Sequence, residues 1–294
     1  MFESAELGHK ISKKLYDKQV PKLRVDLLNA QFDLSQHAKF PVIILVNGVD
    51  GAGKGEAVNL LNEWMDPRFI QAHALDTSSD EENEHPRMWR FWRALPPKGR
   101  IGIFFGSWYT TPIMLRVMGK IKNSQLEQNI ERIKHFERML TNEGALILKF
   151  WFHLSQDVQK KRLKTLEKDP KTRWRVSDTD WQHYKLYDKF RKVSEHTLRE
   201  TSTAEAPWIV VEGSDPYYRG LTVGKILLEA LRKRLDLTAK PVPAKFAPLQ
   251  APIDKLDIFD TLDMGQKTPH NQFDNELEKY QGDRKSTRLN SSHQ

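Results

Sequence analysis

The chain has 294 residues, a formal net charge of +8 at pH 7 and no cysteine, with 38% hydrophobic and 29% charged residues. This composition is typical of a water-soluble globular protein that is large enough to bury a core without disulfides. The lack of cysteine excludes disulfides, thiolate nucleophiles and cysteine-ligated zinc. No apolar run approaches the roughly 20 residues of a membrane helix, and the first residues do not resemble a signal peptide. The sequence therefore predicts a cytoplasmic protein with no membrane partner.

Residues 1–39 predict a charged N-terminal helical segment, in which Pro21 is expected to break or start a helix. The β-branched run after Pro41, Val42–Asn47, predicts a strand that is buried on both faces. Because further strands alternate with helical patterns, we expect an α/β fold with a parallel sheet of about five strands and helices on both faces. The other predicted strands are Ile70–Leu75, Gly102–Phe105, Ala145–Phe152 and Trp208–Val211. The predicted helices span 56–65, 124–140 and 221–235.

The main domain is predicted to span 40–237, and the composition changes after it. Four prolines between residues 241 and 252 predict a linker or arm over 238–283, with a short polar helix near Gln272–Tyr280. Residues 284–294 show no apolar periodicity and look like translated sequencing-adapter sequence, so we set them aside as a non-native tail. Their three basic residues account for part of the formal charge and leave +5 for the rest. That excess fits either a polyanionic partner or an ordinary solvated surface.

A phosphate-binding motif follows the first predicted strand. Gly48 and the Gly53-Lys54 pair fit the P-loop pattern, with a buried strand before the loop and a helix after it. Glycines allow a tight turn in which backbone N–H groups converge on an anion, and the helix N-terminus adds partial positive charge. Lys54 would place its ammonium among the phosphate oxygens. The predicted phosphate-binding residues of the loop are Gly51, Ala52, Gly53, Lys54 and Gly55.

Two residues of this loop depart from the common pattern. Gly55 stands where a serine or threonine usually offers a hydroxyl to Mg²⁺. Asp50 places a carboxylate inside the loop, where it would repel phosphate unless a metal ion lies between them. We therefore predict that Asp50 faces Mg²⁺ or orients the acceptor, the alternative being an ordinary turn aspartate.

Further motifs accompany the loop: Asp80-Glu81-Glu82 before Trp89-Arg90, Ser107-Trp108-Tyr109, Asp169–Arg175 and Thr201–Trp208. Taken with the loop, they resemble the polyphosphate kinase 2 family between about Leu15 and Leu235. The resemblance implies a P-loop kinase-like three-layer sandwich with a helical lid. It also implies Mg²⁺-dependent phosphoryl transfer between inorganic polyphosphate and nucleotides.

The proline-rich arm, with Ala251–Asp254 and the later Tyr280–Gly282, is similar to the connector of tandem polyphosphate:AMP phosphotransferases. This resemblance implies that AMP is the acceptor and ADP the product. It also implies a second domain of the same fold on the C-terminal side, and a homo-oligomer.

The resemblance assigns roles to individual side chains. Lys54 and the loop amides would hold phosphate, and Asp50 would bind Mg²⁺ or orient the acceptor phosphate. Arg90 would neutralise charge near the acceptor, the alternative being a helix-surface cation. The basic cluster of Lys171, Arg173 and Arg175 would belong to a mobile lid over the phosphates, the alternative being a solvated helix face. The tryptophans Trp89, Trp92 and Trp108 are interpreted as core or interface aromatics rather than base-stacking residues.

The third predicted strand carries the most informative departure from the family. Active members have an Asp-Arg pair directly before the Ser-Trp-Tyr motif, and here Phe105 and Gly106 take those positions. Phosphoryl transfer depends on positioning and charge neutralisation, so losing a carboxylate and a cation would weaken catalysis. The alternative function is a catalytically degenerate module for polyphosphate binding and oligomerisation. A nucleic-acid-binding P-loop protein is disfavoured, because no RNA- or DNA-binding motif accompanies the charge.

Overall fold

The structure is a computed structural model that describes residues 1–75, 78–235, 265, 267 and 269–291. The strands are β1 Val42–Gly48, β2 Ile70–Ala74, β3 Ile101–Phe105, β4 Leu146–His153 and β5 Trp208–Glu212. The helices of the first half are α1 Lys13–His37, α2 Lys54–Trp64, α3 Asp80–Glu84, α4 Trp89–Arg93, α5 Thr110–Val117 and α6 Asn123–Asn142. Those of the second half are α7 Gln156–Lys168, α8 Asp178–Lys185, α9 Tyr187–Thr201, α10 Pro216–Leu235 and α11 His270–Ser291.

The five strands form one parallel sheet in the order β2-β3-β1-β4-β5. The central strand β1 pairs with β3 on one side, where Val46 faces Phe105, and with β4 on the other, where Gly48 faces Phe152. Since all strands run the same way, their carboxyl ends share one edge of the sheet, which is where ligands bind in such folds. The predicted α/β fold with a five-stranded parallel sheet is confirmed.

Alternating residues of β1 enter two apolar cores, one on each face of the sheet. Val42, Ile44 and Val46 pack with α1, α2 and α10, whereas Ile43 and Leu45 pack with α5, α6 and α9. A strand whose neighbours on both faces are helices must be apolar at every position, which explains the continuous β-branched run. The arrangement is the three-layer sandwich that the family resemblance implies.

The prediction that Pro21 breaks or starts a helix is wrong. Helix α1 begins after Ser12, whose side chain accepts a hydrogen bond from the backbone N–H of Leu15, and it continues through Pro21. Pro21 lies on the exposed face of the helix, while the face with Leu23 and Leu27 is buried. The carbonyl that loses its helical partner at Pro21 can therefore bond to water, and burial of the opposite face stabilises the helix.

The chain divides into two compact units. The first holds the described residues of Met1–Arg162 and Asp178–Lys240, and the second those of Leu163–Ser177 and Pro241–Gln294. The predicted boundaries at 39, 237 and 283 stay predictions. The proline-rich stretch lies outside the described residues, and α11 runs past both the predicted polar helix and the boundary at 283. In the described part of the chain, no helix combines the length and apolar character needed to cross a membrane.

Candidate phosphate-binding site

The loop between β1 and α2 depends on its glycines. Gly48, Gly51 and Gly53 have positive φ angles of 137°, 80° and 82°, which residues with a Cβ rarely adopt. A Cβ on Gly48 would lie 2.0 Å from the carbonyl oxygen of Phe152, and one on Gly53 would lie 2.2 Å from Cζ of Arg219. The loop is therefore tightly wrapped, and its glycines are required by conformation as well as by space.

Lys54 is the first residue of α2, at the positive end of the helix dipole. Its Nζ donates to the carbonyl oxygen of Gly48 at 2.8 Å and to Oδ1 of Asp50 at 3.1 Å. The side chain is 18% exposed, so the ammonium is reachable from solvent. The structure thus brings together the two residues predicted as phosphate and metal ligands of the loop.

Asp50 has partners on three sides. Besides Lys54, Nδ1 of His183 bonds to its Oδ2 at 2.8 Å, and Nε2 of Gln159 donates to its backbone oxygen at 3.0 Å. Burial raises the pKa of Asp50, but the charge of Lys54 and the hydrogen bond from His183 outweigh it and hold that pKa well below its usual range. The same hydrogen bond raises the pKa of His183. Asp50 is therefore an anion that protein cations already compensate.

A buried arginine that no sequence motif indicated packs against the loop at Gly53. Arg219, in the first turns of α10, is 2% exposed and donates to the carbonyl oxygen of Gly213 at 2.7 Å. It also pairs with Glu56 of α2, and Arg162 bonds to the other oxygen of that carboxylate at 2.8 Å. The only sequence signal is a cation a few residues after the last strand, at the edge where parallel strands end.

Arg90 lines a cavity of about 230 Å³. Its Nη1 donates to Oγ of Ser78 at 2.9 Å, and its Nε lies 3.4 Å from Oε2 of Glu82. Glu82, Arg87 and Trp108 also line the cavity, so its wall combines two arginines and a carboxylate with an apolar ring. Apolar walls with a few polar groups are typical of small-molecule pockets.

The segment after β3 joins this cavity to the strand that precedes the loop. Oγ of Ser107 accepts a hydrogen bond of 2.8 Å from Nδ2 of Asn47, the residue before Gly48. Trp108, the next residue, is 2% exposed and donates through Nε1 to Glu137 at 3.0 Å. Trp108 is therefore a core aromatic, as predicted. Trp92 is 46% exposed, so it is not a core residue, and its place at an interface stays a prediction.

A different side chain could be accommodated at Phe105 but not at Gly106. Phe105 ends β3 with 36% of its surface exposed. Gly106 has a φ of 83°, and a Cβ there would lie 2.2 Å from the carbonyl oxygen of Leu75. The backbone after β3 is therefore shaped for glycine, which the sequence could not show.

The basic cluster lies in the second compact unit. Lys171, Arg173 and Arg175 are all exposed, and the last two belong to a short 3₁₀ helix. Within that unit Lys171 contacts Asn275 of α11, and the guanidinium of Arg175 lies 5.3 Å from the ring centroid of Trp174. Their role as a lid over phosphates stays a prediction.

Asp50 is the residue on which a metal site in the loop would depend. Within the described ranges no group of three or more Asp, Glu or His side chains is arranged to hold a metal ion. Mg²⁺ is commonly held by only one or two carboxylates, with substrate phosphates and water completing its shell. Asp50 can supply one such carboxylate, but each of its oxygens already has a protein partner, Lys54 at Oδ1 and His183 at Oδ2. A metal ion bound there would share the carboxylate with these groups or displace one of them.

Comparisons with known proteins identify the family of this chain. The Polyphosphate kinase 2 (PPK2) family model matches residues 10–238. The chain is 56% identical to a polyphosphate:AMP phosphotransferase of Pseudomonas aeruginosa, over 90% of this chain and 54% of that protein. A polyphosphate:AMP phosphotransferase of Pseudomonas syringae is 48% identical, over 94% of this chain and 56% of that protein. The chain thus spans about half the length of these curated relatives.

Solved structures show the same relationship. A polyphosphate kinase 2 crystal structure from Pseudomonas aeruginosa superposes with a TM-score of 0.73 at 48% identity, covering 94% of this chain and 53% of that one. Another from Arthrobacter aurescens gives a TM-score of 0.74 at 29% identity, covering 82% and 86%. Together with the family match over residues 10–238, these likenesses show that the chain belongs to the polyphosphate kinase 2 family.

Proposed function

We propose that this chain is part of a polyphosphate:AMP phosphotransferase, in which the terminal phosphoryl group of inorganic polyphosphate passes to AMP and gives ADP. The observation that carries the proposal is the glycine loop at the carboxyl edge of the sheet, with Lys54 and Asp50 in contact at 3.1 Å. The names of the two Pseudomonas relatives, both polyphosphate:AMP phosphotransferases, support it.

In this proposal each group of residues has a separate task. The loop amides and Lys54 hold the polyphosphate end, since converging N–H groups and a helix N-terminus favour phosphate. The cavity beside Arg90 and Arg87 holds the nucleotide acceptor. The exposed cations Lys171, Arg173 and Arg175 neutralise the remaining charge of the polyphosphate chain.

The reaction itself is a displacement at phosphorus. A phosphate oxygen of AMP forms a new bond to the terminal phosphorus, and the bond from that phosphorus to the bridging oxygen of polyphosphate breaks, leaving a chain shorter by one unit. Bound Mg²⁺, held by Asp50, would supply charge neutralisation at the transferred phosphoryl group. The protein's main contribution is to hold the two phosphates in line.

A catalytically degenerate polyphosphate-binding module is the second candidate, and one observation favours it. Phe105 cannot ligate a metal, and the backbone at Gly106 has no room for a side chain beside Leu75. The carboxylate and the cation that active members place there are therefore both missing. A cytoplasmic location, a homo-oligomer and a C-terminal second domain remain part of the proposal.

An assay of ADP formation from AMP, polyphosphate and Mg²⁺ separates the two candidates. If the chain is catalytic, the wild type forms ADP and Lys54→Ala loses about 10²- to 10³-fold in rate, as expected for removal of one preorganised charge. Lys134→Ala is the matched control, because it removes a half-buried lysine that pairs with Glu131, three residues before it on the same helix. Equal rates for the wild type and Lys54→Ala would leave the binding module as the function of this chain.

A further inference from the structure

Two helices that are adjacent along the chain are anchored to the same loop residue. Nε2 of Gln159, on α7, donates to the backbone oxygen of Asp50 at 3.0 Å. Nδ1 of His183, on α8, bonds to the carboxylate Oδ2 of Asp50 at 2.8 Å. The sequence between these anchors contains the basic cluster of Lys171, Arg173 and Arg175.

The anchor on α7 has the features of a permanent contact. Gln159 is 2% exposed, and among the described residues its Oε1 has no hydrogen-bond partner. Buried amides are normally hydrogen-bonded on both sides, so the bond from Nε2 to Asp50 is what compensates for burying this side chain. Because the acceptor is the backbone oxygen of Asp50, this bond does not depend on which group binds the carboxylate of Asp50.

The anchor on α8 is of a different kind. None of the residues of α8 is buried, so polar contacts such as that of His183 contribute more to its position than burial of an apolar face does. An ionised carboxylate can only accept hydrogen bonds, so His183 donates from Nδ1 to Oδ2. α8 also contacts the next helix, α9, but its attachment to the loop uses a carboxylate oxygen of the residue that a cation at the loop would bind.

We propose that His183 is a positioning residue that latches α8 to the P-loop through Asp50, and that a divalent cation held with phosphate at Asp50 releases this latch. The two carboxylate oxygens of Asp50 are bonded to Lys54 and to His183. A divalent cation that binds this carboxylate draws on the same negative charge and repels the N–H of His183, so it weakens the latch. Gln159 keeps α7 attached in both states. The release step rests on the proposed function, whereas the latch does not.

Amide hydrogen exchange of the intact chain tests the latch without ligand. His183→Ala is expected to speed exchange of the α8 amides about tenfold, the equivalent of one charged hydrogen bond, with no change in α2 or the sheet. His183→Gln, which keeps a donor, should restore most of the protection. His196→Ala is the control, because it removes an exposed pair with Glu127 at 2.7 Å on another helix. Unchanged α8 exchange in His183→Ala would overturn the proposal.

A thermodynamic cycle and a ligand titration complete the test. Asp50→Ala should free α8 to the same extent as His183→Ala, and the double variant should add nothing further; additive effects would refute the latch. With Mg²⁺ and tripolyphosphate, α8 exchange should rise in the wild type while the α7 amides of 156–162 stay protected. Binding seen by calorimetry without that rise would refute the release. If calorimetry shows no binding, the proposed function and the release fail together, and the ligand-free comparison still decides the latch.

Discussion

The carbonyl oxygen of Leu75 occupies the space where a side chain on Gly106 would begin, 2.2 Å from the position of its Cβ. The two backbones are held this close by a hydrogen bond at the end of the β2–β3 pair, in which the backbone N–H of Leu75 donates to the carbonyl oxygen of Phe105 at 2.9 Å. The departure from the family at this point is therefore built into the backbone, and restoring the arginine alone cannot restore the site.

Gly106→Ala is expected to lower the free energy of unfolding by about 3 kcal/mol, from the positive φ and the clash with Leu75 together. Urea denaturation followed by circular dichroism measures this loss. Gly55→Ala is the matched control, since a Cβ there meets nothing within 4 Å, and alanine in a helix should be neutral or stabilising by up to about 1 kcal/mol. Similar losses for both variants would contradict the account of Gly106.

Phe105→Asp alone is the more informative restoration of the catalytic site. Phe105 is 36% exposed, so a carboxylate can be solvated at the strand end with little loss of stability. If the missing metal ligand limits the rate, this variant should raise Mg²⁺-dependent ADP formation about tenfold or more over the wild type. Phe105→Asn introduces a side chain of the same shape as aspartate but without its charge, so its rate of ADP formation should rise much less. No gain in either variant would place the defect elsewhere in the site.

Lys149 and Glu137 form a buried ion pair, and Glu137 also accepts a hydrogen bond from Trp108. We expect the effects of substituting the two charged residues on stability to be coupled. Nζ of Lys149, with no exposed surface, lies 2.8 Å from Oε2 of Glu137 and 2.7 Å from the carbonyl oxygen of Thr201. Glu137→Leu leaves a buried cation without its counter-ion and should cost about 3–5 kcal/mol. The double variant with Lys149→Met should cost much less than the sum of the single variants. Additive losses in urea denaturation would show that the pair is not coupled.

The carboxylate of Glu212 holds residues 8 and 9 by hydrogen bonds, so protonating it in acid should lower the stability of the fold. Its carboxylate accepts from the backbone N–H of Gly8 at 2.9 Å, from Nδ1 of His9 at 2.9 Å and from Oγ of Ser214 at 2.8 Å. Burial raises the pKa of Glu212, but the hydrogen bonds from Ser214 and His9 outweigh it and lower that pKa. The folded state therefore gains stability above the unfolded glutamate pKa of about 4.3, and loses it as the pH falls further.

Measuring unfolding free energy from pH 6 to pH 3 tests this sign. The wild type should lose stability over the acid part of that range, and Glu212→Gln should show a shallower loss. The backbone amides of residues 8 and 9 should lose exchange protection in parallel. A steeper acid loss in Glu212→Gln than in the wild type would reverse the expected direction.

Local patterns in the sequence were enough to predict the frame of the site. The apolar run of β1 and the glycine loop are adjacent along the chain, which is enough to predict the position of Lys54. The alternation of strand-like and helical segments predicts the parallel sheet. The prediction that Pro21 breaks or starts a helix was wrong because packing of the opposite helix face stabilises α1 by more than one lost hydrogen bond costs. Local sequence rules do not include this tertiary packing.

The partners of the loop could not be predicted in the same way. His183 and Gln159 meet Asp50 across separations of 133 and 109 residues, and neither lies in a recognisable motif. Arg219 is an ordinary cation in the sequence, and only the fold shows that it is buried beneath Gly53. Such contacts depend on the whole topology, so they cannot be predicted from a pattern of a few neighbouring residues.

The most direct test of the phosphate cradle is calorimetric binding of tripolyphosphate in the presence of Mg²⁺. We expect the wild type to bind with an affinity that falls as salt rises, because a polyanion meets fixed cations. Lys54→Ala should bind at least about tenfold more weakly, the loss of one charged contact, while Lys134→Ala should match the wild type. Equal affinity for the wild type and Lys54→Ala would contradict the assignment of the loop as the phosphate site.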